Sequence, residues 1–265
     1  MPPRLGYWIA RRLARDMARR RSALFYTVRA NVAQVVGAAM NPHDLDTLAE
    51  NAIFHAGCTY FDMFRQAPTE GVRKSNRISV EPSEWEMTRE AFQDARGTVL
   101  VGAHMSNFDL AGQWFAAQGF EIQALTLPSP NSGTQLVNLI RKRRGLRVTP
   151  LSAGALRAAL RRLRDGGIVL TGVDRPVPDA SMPIPFFGRP AYLPTGHIRL
   201  ALQTDSRIVV ACCIQEPSQM AAGGYTIRMA PPMEMERRGS REQDVRHNAR
   251  RVLAFLEGMI RRAPG

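Results

Sequence analysis

His104 and Asp109, five residues apart in the run HMSNFD, are the side chains of this 265-residue sequence best suited to chemistry. An unperturbed histidine titrates near pH 6.5, so it can take a proton from a hydroxyl in a transition state and return it to a leaving group. A carboxylate accepting a hydrogen bond from one ring nitrogen would leave the other nitrogen as the base. Such a pair needs an alcohol and an acyl donor to act on. The same stretch also meets a plainer demand, because Ser106 and Asp109 form an S-x-x-D pattern that can cap a helix.

The elements around the pair follow from apolar spacing. Thr98 to Ala103 is short, apolar and rich in β-branched residues, as a buried parallel strand should be. Phe108, Gly112 and Phe115 then recur at helical spacing, and Gly119 stops the run. His104 is thereby expected at the carboxyl end of a strand, where open α/β sheets bind ligands. Ile168 to Val173 reads as another buried strand, which delivers Asp174 and Arg175 to the same edge. Strands are also expected at 77–80, 122–127, 146–150 and 207–214, with 225–229 antiparallel to the last of these. Helices are expected at about 45–65, at 82–96 behind a cap at Ser83, at 135–144, after a cap at Ser152, at 196–203 and at 244–261. The fold class is therefore α/β, a mixed and mostly parallel sheet covered by helices.

Residues 5–40 read as one or two helices in which Tyr7, Trp8, Leu13 and Met17 alternate with arginines. This basic amphipathic segment suits an anionic membrane surface, or equally a solvated face on a docked helix. The simplest partition is residues 1–40 as membrane-associating helices and 41–265 as the α/β domain. Arg141, Lys142, Arg143 and Arg144 close a helix and could hold the phosphates of a donor, or simply complement the helix dipole. The start of the helix at Gly196, with His197 and Arg199, could receive an anion. The proline-rich stretch 176–194 suits a lid or a cleft wall.

The net charge of +13 favours anionic partners, but no zinc-ligand spacing or RNP-type aromatic motif points to nucleic acid. Three cysteines without paired spacing argue against a disulfide framework. No apolar run is long enough to span a bilayer, and a peripheral protein on the cytoplasmic face of the inner membrane is expected.

HMSNFD fits the HxxxxD signature of the glycerolipid and lysophospholipid acyltransferases. The run TGVDRPVPDASMPIPFFGRPAYLPTG, Thr171 to Gly196, resembles the second block of the branch containing bacterial lipid A late acyltransferases and phosphatidylinositol mannoside acyltransferases. The resemblance implies that His104 is the general base and that Asp109 orients it. It also implies substrate binding by Asn107, Asp174, Arg175 and Arg189. Acyl-CoA or acyl carrier protein would be a co-substrate, with a membrane lipid as acceptor and no other cofactor or metal. Some relatives carry a functional glutamate before the Phe-Phe-Gly turn, where this chain has Met182, Pro183, Ile184 and Pro185; Asp174 or Asp179 could take that role. Two other readings stand beside this one. One is an esterase or thioesterase using the same pair on water, although no G-x-S-x-G elbow is present. The other is a basic membrane- or nucleic-acid-binding protein without catalysis.

Overall fold

The computed structural model describes residues 2–37, 40–65, 78–176, 182–215 and 224–264. Residue 77, the first of the strand expected at 77–80, and the candidate Asp179 lie outside these. The chain divides into two compact units, Met1–Thr69 with Glu257–Gly265, and Glu70–Leu256.

The first unit contains α1 (Pro3–Arg19), α2 (Ala23–Val36) and α3 (Pro42–Arg65), so the helix 42–65 groups with the two that precede it. Small residues let α1 and α3 approach closely. At Gly6 the ring of Phe61 occupies the space a Cβ would need, and Ala10 and Ala14 of α1 are buried. Tyr7 donates to Asp62 (2.9 Å) and Arg11 to Asn51 (2.8 Å), pairings that make the two helices antiparallel. On α1, Leu5, Trp8, Ile9 and Leu13 are exposed beside Arg4 and Arg12. The side chain of Asn41 accepts the Asp44 N–H at 2.9 Å and caps α3. Among the described residues no helix is long and apolar enough to cross a membrane.

The second unit is built on a seven-stranded sheet. Its strands are β1 (Ile78–Val80), β2 (Thr98–Gly102), β3 (Ile122–Thr126), β4 (Leu146–Pro150), β5 (Ile168–Gly172), β8 (Arg207–Ile214) and β9 (Tyr225–Met229). The spatial order is β1-β9-β8-β2-β5-β3-β4. β8, β2, β5, β3 and β4 are parallel, whereas β9 runs antiparallel to β8 and β1 pairs in parallel with β9. The helices are α4 (Pro82–Gln93), α5 (Phe108–Ala117), α6 (Ser132–Arg143), α7 (Ala153–Arg164), α8 (Gly196–Thr204) and α9 (Arg241–Arg262), whose last residues belong to the first unit.

Burial explains the apolar strand sequences. Val99, Leu100 and Val101 of β2 are almost inaccessible, as are Ile208, Val209 and Val210 of β8, because these strands are central in the sheet and helices pack on them, α8 on β2 and α5 on β8. Of two capping expectations, one differs from the structure. α4 begins at Pro82 after Glu81 without a side-chain cap, since proline at the first position has no N–H to satisfy; Ser83 is inside the helix. α7 is capped as expected, with Ser152 Oγ accepting the Ala155 N–H at 3.1 Å.

The proline-rich stretch holds a small hairpin, β6 (Ile184–Phe186) and β7 (Arg189–Ala191). Its two-residue turn, Phe187-Gly188, has φ of 49° and 74°, the positive pair that a type I′ turn requires. Phe187 is buried despite this strained backbone, and its ring packs edge-on against Phe186 at 4.7 Å.

Candidate active site

Register brings the central residues together. β2 and β5 pair in parallel with Gly102 opposite Gly172. His104 and Asp174 each lie two residues beyond that last pair. Two residues is one period of a strand, so both point to the same side on adjacent strands. The His104 N–H donates to Asp174 Oδ2 at 2.9 Å, and the ring Nδ1 meets Asp174 Oδ1 at 2.7 Å. The histidine is thus held through both backbone and ring by one carboxylate. Its ring also faces Phe108 edge-on at 4.7 Å.

The imidazole lies where a side chain of residue 172 would be. A Cβ at Gly172 would stand 2.6 Å from His104 Cε1, closer than atoms pack, so only glycine leaves room for this ring position. The turn after His104 is equally constrained. Ser106 adopts φ 45°, which helps swing the chain from strand into α5 within the five residues 103–107.

Asp109 has a different partner from the one expected. It is buried in the first turn of α5, where an ionised carboxylate needs a compensating cation, and Arg141 Nε of α6 lies 2.5 Å from its Oδ1. Arg141 also donates to Asn138 at 3.0 Å and stands over Phe108, 5.9 Å from the ring centroid. The carboxylate on His104 is therefore Asp174, and Asp109 ties α5 to α6. Asn107, expected at a ligand, is instead buried and caps α5, its Oδ1 accepting the Leu110 N–H at 3.1 Å.

The four basic residues at 141–144 separate by helical phase. Arg141 and Arg144, three apart, turn inward on α5, with Arg144 donating to the buried Gln113. Burial pulls the Arg144 guanidinium below its ordinary value, partly offset by Asp109, and its Nε and Nη2 have no partner among the described residues. Lys142 and Arg143 are exposed. Arg175, one residue after Asp174, and Arg189, at the start of β7, are exposed and carry no ion pair among the described residues.

Three residues at this end of the sheet are more confined than their sequence suggests. His197, in the first turn of α8, is buried with neither ring nitrogen bonded, and burial pushes its pKa down to about 3, so it packs as a neutral ring. Cys212 and Cys213 are buried thiols pushed up to about 12, far from the thiolate that cysteine chemistry needs. Among the described residues no cluster of histidine, cysteine, aspartate and glutamate could hold a metal ion.

An imidazole backed by a carboxylate, at the carboxyl edge of a mostly parallel sheet and beside exposed arginines, is an arrangement chemically able to take a proton from a hydroxyl. The family is more specific. The chain belongs to the bacterial lipid A biosynthesis acyltransferases, whose family model matches residues 1–265. It is similar to the phosphatidylinositol mannoside acyltransferase of Mycobacterium tuberculosis, with 29% identity over 121 residues, 44% of this chain and 38% of that one. The protein of the same name in Mycolicibacterium smegmatis is 24% identical over 213 residues, 78% of this chain and 67% of that one. The match to the M. tuberculosis protein thus spans little more than a third of that relative's length.

Proposed function

We propose that this chain transfers a fatty acyl group from an acyl thioester, carried by coenzyme A or by acyl carrier protein, to a hydroxyl of a membrane glycolipid or phospholipid. The observation that carries the reading is the 2.7 Å bond between His104 Nδ1 and Asp174 at the edge of the sheet. With Nδ1–H donating to the carboxylate, Nε2 is the base. It removes the acceptor's hydroxyl proton as that oxygen bonds to the thioester carbonyl carbon. The tetrahedral intermediate then loses its C–S bond, and the imidazolium returns the proton to the departing sulfur, giving an ester and a thiol. Asp174 fixes the tautomer and stabilises the transient cation. Asp109 supports the corner indirectly through Arg141.

Exposed Arg175 and Arg189 suit a phosphate on the acceptor or the donor. Lys142 and Arg143 are the two members of the basic run free to meet coenzyme A phosphates or an acidic carrier. The apolar and arginine-bearing surface of α1 suits peripheral attachment to an anionic membrane, read here as the cytoplasmic face of the inner membrane. The relatives' names favour a phosphatidylinositol mannoside as the acceptor class.

The test is transfer of label from a panel of acyl-CoA and acyl carrier protein donors into total membrane lipids, comparing wild type with His104→Ala. A labelled lipid that disappears in the variant supports the reading. Label released only as free acid transfers the site to the hydrolase class, and transfer that survives in His104→Ala removes His104 from catalysis.

A further inference from the structure

Among the described residues of the second unit, the exposed large apolar side chains gather at one edge. Leu127 and Leu151 follow the carboxyl ends of the neighbouring strands β3 and β4, where the Leu151 N–H donates to Thr126 O at 2.9 Å. Leu156 lies in the first turn of α7, Leu136 and Leu139 stand three residues apart on α6, and Tyr192 follows β7. These side chains are 38% to 59% exposed. Soluble domains seldom leave so much apolar surface together without a partner.

The charge around them has one sign. From Ile122 to Arg164 the sequence contains no aspartate or glutamate but nine lysines and arginines. Among the described residues, the carboxylates Asp109 and Asp174 at this edge are already bonded to Arg141 and His104. The exposed cations beside the leucines and the site are Arg157, Arg175 and Arg189.

We propose that this leucine-rich edge, whose described carboxylates are already paired, is a second lipid-contacting face, by which the catalytic unit itself rests on an anionic bilayer independently of α1. Leucines at the acyl boundary with arginines at the headgroups match the interface of a bilayer bearing negative lipids. A second copy of the chain fits less well, because a symmetric contact would set this basic surface against itself. The purpose of the contact, presenting the His104 edge to a membrane-borne acceptor, rests on the acyltransferase reading; the contact itself does not.

The experiment is flotation of the full-length chain with phosphatidylcholine vesicles, with and without phosphatidylglycerol. Leu127→Glu/Leu151→Glu should weaken binding to the anionic vesicles by about tenfold or more, and Leu127→Ser/Leu151→Ser by less. Arg157→Glu should weaken it by about fivefold and reduce its salt dependence. All three should keep the wild-type unfolding temperature, because these side chains are exposed. Unchanged vesicle binding in the double glutamate variant overturns the proposal. So does a change of mass in sedimentation with vesicle binding intact, which makes the edge a contact between copies, or loss of carrier-protein binding alone, which makes it a protein dock. Failure of the acyltransferase reading would appear separately, as transfer that survives His104→Ala, and would leave the vesicle result standing.

Discussion

At the amino-terminal edge of the sheet, Arg207 bridges Asp94 at 2.5 Å and Glu234 at 2.9 Å, and Arg96 joins the same glutamate at 2.6 Å. Arg162 likewise holds Glu121 there. The carboxyl-terminal edge is arranged differently. Among the described residues its carboxylates Asp174 and Asp109 are committed to one histidine and one inward arginine, its outer arginines have no acidic partner, and its apolar side chains stand in solvent. Matched charge closes one edge, whereas unmatched charge and unfilled apolar surface leave the other ready for a ligand. The lesson is that a candidate functional end of such a sheet is marked by what is left unsatisfied as well as by its titratable side chains.

Substitutions should separate the two edges by the size and kind of their effects. Outside the His104–Asp174 pair itself, the largest expected loss is at Gly172. Gly172→Ala drives a methyl into the imidazole and should reduce kcat by about 10²-fold through misplacement of the base, while the unfolding temperature changes much less than in a core variant. An equally active Gly172→Ala would show that the ring need not occupy this position.

Arg141→Leu acts on stability first. It leaves Asp109 buried without its cation, a cost of about 3–5 kcal/mol, and should appear as a lower denaturant midpoint, with activity lost in parallel as α5 and α6 loosen. His197 contributes through pH. Its folded pKa near 3 is depressed from the ordinary value of 6.5, so between these limits the unfolded chain binds a proton that the folded chain does not. Stability should therefore fall as the pH drops from 6.5 toward 3, and His197→Phe should flatten that part of the profile in denaturant titrations. The smallest effect belongs to the amino-terminal edge. Glu234→Gln should cost no more than about 1 kcal/mol and leave turnover unchanged, because its side chain is 58% exposed and its ion pairs are screened.

Much of this arrangement was legible from residue order. The β-branched runs at 98–103 and 168–173 became β2 and β5, and the convergence of His104 with Asp174 and Arg175 follows from both runs being parallel strands. The identity of histidine's carboxylate was obscured by closeness in sequence. Asp109 is five residues away, whereas Asp174 is 70 away but in register. The signal was present in aligning TVLVGAH with IVLTGVD, where the glycines coincide and the histidine then falls opposite the aspartate. Helical phase could likewise have separated Arg141 and Arg144 from Lys142 and Arg143. The hairpin at 184–191 was harder to read, because its turn places a phenylalanine at a positive φ that asparagine or glycine usually fills.

The measurement that bears most directly on the account is kcat/KM for acyl transfer in Asp174→Asn and Asp109→Asn, each with its unfolding curve. The account predicts that Asp174→Asn folds like the wild type and loses about 10²–10⁴-fold in kcat/KM, because the imidazole loses its orienting carboxylate. Asp109→Asn should lose stability first and retain more turnover wherever it remains folded. A fully active Asp174→Asn, beside a well-folded but inactive Asp109→Asn, would contradict the assignment.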